Sequence, residues 1–215
     1  MGKDVFLSVG GTANDAQEEF VQAVETRLRA EGLVPNTVGR NTFSVDAPLK
    51  TVEYLMDRCV GTVVLALERT HFPTGTERRG GEKEKVLSNT MLATPWNQIE
   101  AAMAYSRGLP LLVIVEEGVK HEGLLEPGYD WYVQTVPLNK DYLNSTEFNG
   151  VLASWKTKVS DTKPNGNRSK EEKSIEKMSV AQLIGSLKPA QLWSAVLALC
   201  AVIGVAFSLG ANLIP

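Results

Sequence analysis

One carboxylate in this sequence stands where a helix would present it to a cleft, and it is Glu100. The stretch 94–115, TPWNQIEAAMAYSRGLPLLVIV, opens with a Thr-Pro pair typical of a helix N-cap and first turn, and its polar half closes with Arg-Gly before a Pro. These signals predict a helix over 95–107, followed by an apolar strand. In the second turn of that helix, Glu100 could do electrostatic or acid–base chemistry on a ligand. The alternative interpretation is an ordinary solvent-exposed glutamate.

The apolar residues of this predicted helix form a stripe beside that carboxylate. Trp96, Ile99 and Met103 recur at helical spacing and mark the predicted buried side. Trp96 and Glu100 are four residues apart, so they share one row along the helix. Glu100 is therefore expected next to the apolar stripe.

Short apolar runs predict the strands that would position this helix. The run 62–67, TVVLAL, is apolar on both faces, as is typical of parallel sheets covered by helices on both sides. Helical patterns occur at about 15–30, after Asp46 as a predicted cap, and after Ser145 or Thr146. Five strands are predicted, at 4–9, 33–38, 62–67, 111–115 and 132–138. Their alternation with helices predicts an α/β fold, doubly wound around a mainly parallel five-stranded sheet.

The expected ligand crevice of such a sheet lies beyond the carboxyl ends of its strands. There the loops after Val9, Val38 and Leu67 would converge with the helix that begins at Thr94. The polar run 68–93 is too long for an ordinary connection, so we predict a flexible flap over the site or a partner surface.

The last third of the chain has a different composition. Residues 1–155 form the predicted folded domain, 156–178 a polar flexible linker, and 179–188 a short interfacial amphipathic segment. Residues 189–215 lack charged side chains, and the almost wholly apolar 192–209 predicts a transmembrane helix. The cations before it predict a single-pass, tail-anchored protein with its N-terminal domain in the cytoplasm.

Charge and metal-ligating residues exclude other classes of function. The chain has a net charge of −3, and residues 156–189 carry eight basic and four acidic side chains, which leaves −7 on the first 155 residues. So acidic a domain argues against a nucleic-acid partner. Two cysteines and two histidines offer neither a disulfide framework nor metal-ligand spacing, so no metal and no required cofactor are expected.

Small residues recur inside the predicted span. Cys200, Gly204 and Ser208 are four residues apart, which is typical of transmembrane helices that pack closely. We expect a homo-oligomer through the domain and this helix.

Several of these segments together resemble a TIR or TIR-like domain. They are DVFLSV, GLVPNTVG, TVVLAL and above all the Pro95-Trp96-x-x-x-Glu100 pattern, and the resemblance covers residues 3–155. Nucleoside 2-deoxyribosyltransferase-like and SLOG-type domains are similar in outline. The resemblance implies a TIR/flavodoxin-like fold.

The resemblance also implies roles for particular residues. Glu100 would be the catalytic residue, which holds the ribose hydroxyls of NAD and stabilises oxocarbenium-like charge. The ligand, NAD or a nucleotide second messenger, would contact Ser8, Gly10, Gly11 and Trp96, and its phosphate Arg40 or Asn41.

Three functions follow as alternatives. The first is a membrane-anchored sensor or effector of a bacterial antiphage defence system, which binds a nucleotide-derived signal, oligomerises and disrupts the membrane. The second is an NAD glycohydrolase or a nucleoside-type glycosyl hydrolase or transferase that uses Glu100. The third is a TIR-like adaptor that recruits another protein.

Overall fold

A computed structural model describes residues 2–164 of the 215-residue chain. The predicted interfacial segment and the predicted span, 189–215, lie outside the described residues, as does most of the predicted linker. Within residues 2–164, no helix is both long enough and apolar enough to cross a membrane. The main elements, in chain order, are β1 Lys3–Val9, α1 Asp15–Ala30, β2 Leu33–Asn36, α2 Pro48–Arg58, β3 Thr62–Ala66, β4 Thr70–Glu77, β5 Lys85–Leu92, α3 Pro95–Ser106, β6 Leu111–Glu116, β7 Tyr132–Val136 and α4 Thr146–Asp161.

Five strands form one sheet in the order β2-β1-β3-β6-β7, and every neighbouring pair is parallel. This confirms the predicted five-stranded parallel sheet. Pro35 is tolerated within it because β2 is an edge strand, where a missing backbone N–H leaves no ladder bond broken.

Helices cover both faces of the sheet, as the two-faced apolar strands predict. Alternate strand residues such as Leu7 and Phe6 belong to opposite cores, because successive strand side chains point to opposite faces. One core joins the sheet to α1 and α4, and the other joins it to α2 and α3. The described domain is therefore a three-layer, doubly wound α/β fold.

The strand order reverses between β1 and β3. The chain leaves β1 through α1 toward β2 at one edge, whereas after β3 it continues through α3 toward β6 on the other side. The loops that follow β1 and β3 therefore diverge, which opens a crevice at the carboxyl ends of these two strands.

The sequence pattern predicts no regular structure in the run 68–93, but this run forms an antiparallel hairpin of β4 and β5. The role of the run, as a flap over the site or a partner surface, stays a prediction. The base of the hairpin is held to the loop after β6, because the Lys120 backbone N–H donates to the Met91 carbonyl at 2.8 Å. The Lys120 ammonium also lies 3.4 Å from Glu77, near the turn of the hairpin.

Two predicted helix ends are also wrong. Asp46 does not cap α2: the N-cap position is Ala47, and the Asp46 carboxylate accepts a hydrogen bond from Ser44 instead. At the other end of the domain, α4 continues to Asp161, so residues 156–161 are helical rather than part of the linker.

Candidate functional site

The helix that carries Glu100 begins as its sequence predicts. The Thr94 hydroxyl accepts from the Trp96 backbone N–H at 3.4 Å, and Pro95 occupies the first turn. The helix then runs from Pro95 to Ser106, one residue shorter than expected. This fixed start places Glu100 in the second turn, above the carboxyl ends of β1 and β3.

The face that α3 buries differs from the predicted one. Trp96 and Ile99 are about two-fifths exposed, whereas Asn97, Glu100 and Ala101 are buried. Small and polar residues face the sheet because the helix packs close to β1 and β3. Glu100 itself is therefore part of the buried face, with 8% of its surface exposed. The alternative interpretation of Glu100 as an ordinary solvent-exposed glutamate is wrong.

Glu100 contributes to the wall of a cavity of about 280 Å³. Apolar side chains and the Gly10-Gly11 backbone provide the rest of the wall, and among the lining residues Glu100 is the one ionisable group. The cavity is lined by Val9, Gly10, Gly11, Val38, Pro48, Val52, Trp96 and Glu100.

Burial raises the pKa of the Glu100 carboxyl to about 7, because the charged form loses its hydration. The polar Ser8 side chain opposes this rise by favouring the carboxylate. At neutral pH the group is consequently divided between its neutral and charged forms. A carboxyl with a displaced pKa in a cavity is typical of acid–base or electrostatic catalysis.

Ser8 lies under Glu100 and is fully buried near the end of β1. Its hydroxyl oxygen accepts from the Asn97 side-chain amide at 3.0 Å. Asn97 was not predicted as a site residue, although it precedes Glu100 by three residues and so shares its helix face. That spacing is the signal that could have identified it.

Gly10 and Gly11 follow β1, at the point where the strand order reverses. They line the cavity of Glu100 and also a second, water-sized space of about 10 Å³, which Arg69 and Asn97 share. The Arg69 guanidinium donates to the Gly11 carbonyl at 3.4 Å. A side chain at position 10 would meet the Thr94 methyl group at 3.0 Å, so glycine keeps the crevice open here.

The structure brings Trp96 to the site but not the two residues predicted to contact phosphate. The Arg40 guanidinium is held by Glu18 at 2.9 Å and Glu25 at 3.2 Å. The Asn41 side chain closes its own turn, because it accepts from the Thr37 N–H and donates to the Pro35 carbonyl. Neither residue lines the cavity of Glu100.

A larger cavity of about 400 Å³ lies at the opposite end of the sheet, between the starts of β6 and β7 and helix α4. Its aromatic wall includes Tyr129 stacked on Trp131, with ring centroids 4.7 Å apart. It lies away from the carboxyl ends of the strands and from Glu100, so we assign the candidate site to the smaller cavity. Across residues 2–164, no group of three or more His, Cys, Asp or Glu side chains is placed to hold a metal ion.

The comparisons with known proteins found similarity to solved structures but to no family model and no curated protein. The structure of the Clostridium botulinum CMP N-glycosidase BcmB is 13% identical in sequence with a TM-score of 0.44, over 68% of this chain and 99% of that one. The TIR domains of the activated Roq1 resistosome, which recognises the pathogen effector XopQ, are 12% identical with a TM-score of 0.35, over 74% of this chain and 82% of that one. Membership of a TIR-like family stays a prediction.

Proposed function

We propose that the domain of residues 2–164 binds a nucleotide and cleaves the N-glycosidic bond between its base and its ribose, with NAD as the first substrate to test. The observation that carries this proposal is Glu100, a buried carboxyl in a cavity at the reversal of strand order. In open α/β sheets, ligands bind at that place. The exposed Trp96 ring and the Gly10-Gly11 backbone supply an aromatic wall and a close approach for a flat, polar ligand.

The chemistry assigned to Glu100 is stabilisation of positive charge. As the C1′–N bond breaks, its electron pair leaves with the base and the sugar acquires oxocarbenium character. Water then adds to C1′ and releases a proton, so NAD and water yield nicotinamide, ADP-ribose and a proton. A fixed carboxylate that faces C1′ stabilises the cationic transition state.

The displaced pKa gives this mechanism a pH dependence. Nicotinamide leaves as a neutral base and needs no proton, so the ionised form of Glu100 is the active one. With a pKa of about 7 in the free protein, kcat/KM should increase as the pH rises through about 7 and then level off.

The test uses the full chain, purified in detergent, with NAD as substrate and nicotinamide release as the readout. Glu100→Gln keeps the size of the side chain and removes its charge, so kcat should fall by about 100-fold or more, as when a single preorganised electrostatic contact is lost. Glu117→Gln is the matched control, because Glu117 is an exposed glutamate that follows β6 at the same edge of the sheet, and it should retain wild-type activity. An unchanged rate in Glu100→Gln would overturn the assignment.

A second candidate function is supported by the apolar residues 192–209. In it, the cavity binds a nucleotide signal without cleaving it, the domains associate, and the predicted tail helices assemble and disrupt the membrane. This is the sensor or effector of an antiphage defence system, tail-anchored with its domain in the cytoplasm. A ligand can drive such association only by binding the assembled state more tightly than the free one.

A further inference from the structure

Arg69 follows β3 at the carboxyl edge of the sheet, and the proposed mechanism has not used it. Its exposed side chain lies against the loop after β1, because the guanidinium donates to the Gly11 carbonyl at 3.4 Å and would lie 3.9 Å from a Cβ at that position. Gly10 and Gly11 also line the cavity of Glu100. One backbone segment, Gly10-Gly11, therefore borders both the Glu100 cavity and the Arg69 cation.

The backbone that carries Arg69 is held from several sides. The Glu68 N–H donates to the Glu116 carboxylate at 2.7 Å, and the Glu68 carbonyl accepts from the side-chain amide of the buried Gln17 at 3.0 Å. The Arg69 N–H donates to the Leu92 carbonyl at 2.8 Å, at the base of the hairpin of β4 and β5. Arg69 therefore starts from a defined position beside the crevice.

The charge of Arg69 is not neutralised by the described domain. Within residues 2–164, Arg69 forms no ion pair. Apart from two arginines in the turn of the hairpin, the other described arginines all pair with carboxylates, and these are Arg27, Arg29, Arg40, Arg58 and Arg107. A guanidinium has five N–H donors, of which the Gly11 carbonyl occupies one. Arg69 therefore keeps its charge and most of its donors for a ligand.

We infer that Arg69 binds the phosphate group of the nucleotide whose sugar lies at Glu100, so that the site takes phosphorylated nucleosides in preference to free nucleosides. A planar guanidinium matches two oxygens of a phosphate, and hydrogen bonds between charged groups are stronger than those between neutral ones. The ligand would reach Arg69 across Gly10-Gly11, where no side chain blocks the backbone. Arg69 thus takes the role that the resemblance implied for Arg40 or Asn41.

The inference rests on the proposed function for the position of the sugar, but the preference for phosphate can be measured by binding alone. The test uses the full chain in detergent with Glu100→Gln, so that bound ligands are not cleaved. AMP is compared with adenosine, and nicotinamide mononucleotide with nicotinamide riboside, because each pair differs only in one phosphate. In the pair whose base the site accepts, the phosphorylated member should bind about 10–100-fold more tightly, and adding Arg69→Gln should abolish this difference.

Three comparisons separate a phosphate contact from a structural role. If Arg69 only held the loop through the Gly11 carbonyl, Arg69→Gln would weaken both members of a pair alike, whereas we expect the phosphorylated member alone to lose affinity. Arg79→Gln removes the same charge from the exposed turn of the hairpin and should leave the preference unchanged. Arg69→Lys keeps the charge without the planar fork of donors, so it should retain part of the preference.

Equal affinities within both pairs, the absence of all binding, or the same loss of preference in Arg79→Gln would overturn the inference. If binding depends on Arg69 but the wild-type chain does not cleave NAD, the phosphate contact stands and the proposed reaction fails. If the wild type cleaves nicotinamide riboside and nicotinamide mononucleotide with equal KM, the proposed reaction stands and the phosphate contact fails.

Discussion

Glu100 is held where its charge destabilises the folded domain. Its pKa is about 7 in the folded state and 4.5 as the ordinary value, so between these values the folded state binds more protons than the unfolded state. The protonated form of Glu100 therefore contributes its full stabilisation to the folded domain below about pH 4.5, and this stabilisation is lost as the pH rises to about 7. The loss amounts to at most about 3 kcal/mol.

Glu100→Gln should remove this loss, because a neutral amide has no proton to release. We expect the variant to be more stable than the wild type at pH 8 by up to about 3 kcal/mol, while its advantage shrinks toward pH 4.5. Denaturant unfolding of both chains at several pH values gives the comparison. Wild-type stability that does not fall between pH 4.5 and 7 would show that Glu100 titrates normally. Greater stability with lost activity is the pattern expected of a functional carboxyl.

At the same residue scale, the sequence predicted the position of Glu100 in its helix but not the burial of its side chain. Helix caps and Trp96 spacing are local signals, and they placed the carboxylate correctly along the chain. Its burial depends on how closely α3 approaches β1 and β3, which no local pattern records. For the same reason the sequence does not reveal that Arg40 is paired, because its two carboxylate partners lie 15 and 22 residues away in sequence.

At the scale of elements, α4 packs closely against the backbone of Gly61, which has no side chain to hold the helix away from the sheet. A Cβ at this position would lie 2.6 Å from a methyl of Val159 and 3.0 Å from the ring of Trp155, both of which are buried in α4. Gly61→Ala should therefore push α4 outward and lower the free energy of unfolding by about 1–3 kcal/mol.

The matched control is Gly150→Ala, the same substitution within α4. A Cβ at position 150 meets no atom within 4 Å, and helix interiors favour alanine over glycine. This variant should gain about 0.5–1 kcal/mol. Thermal or denaturant unfolding of the two variants measures both effects, and equal stability of Gly61→Ala and the wild type would show that α4 is seated differently.

Elements with a strong hydrophobic pattern were predictable, and those without it were not. The wholly buried β3 and the apolar β6 carry continuous apolar runs, because each is covered on both faces. The hairpin of β4 and β5 is mostly exposed on both faces, so its residues neither alternate nor form an apolar run. Backbone pairing holds it together, and that pairing leaves little trace in composition.

At the scale of the whole molecule, the described domain and the apolar tail serve one function if ligand binding in the domain causes an effect at a membrane. The second candidate function makes that link explicit. It requires the predicted tail helices to approach closely, which small residues at Cys200, Gly204 and Ser208 would permit. Because a single helix encloses no pore, damage to the bilayer must depend on assembly.

The full chain, reconstituted in vesicles that contain a fluorescent dye, tests this dependence. Nucleotides such as NAD should cause release of dye from vesicles that contain the wild type. Replacing Cys200, Gly204 and Ser208 together with Leu should reduce this release several-fold, because the added bulk separates the helices. Ala198→Leu/Ala206→Leu is the control, because these positions lie on the opposite side of the predicted helix and the variant also replaces small residues with Leu there. Leakage from the triple variant equal to that from the wild type would exclude assembly through these three residues.

Glu100→Gln separates the two candidate functions in the same assay. Leakage that persists in this variant would show that nucleotide binding without cleavage is sufficient to disrupt the membrane.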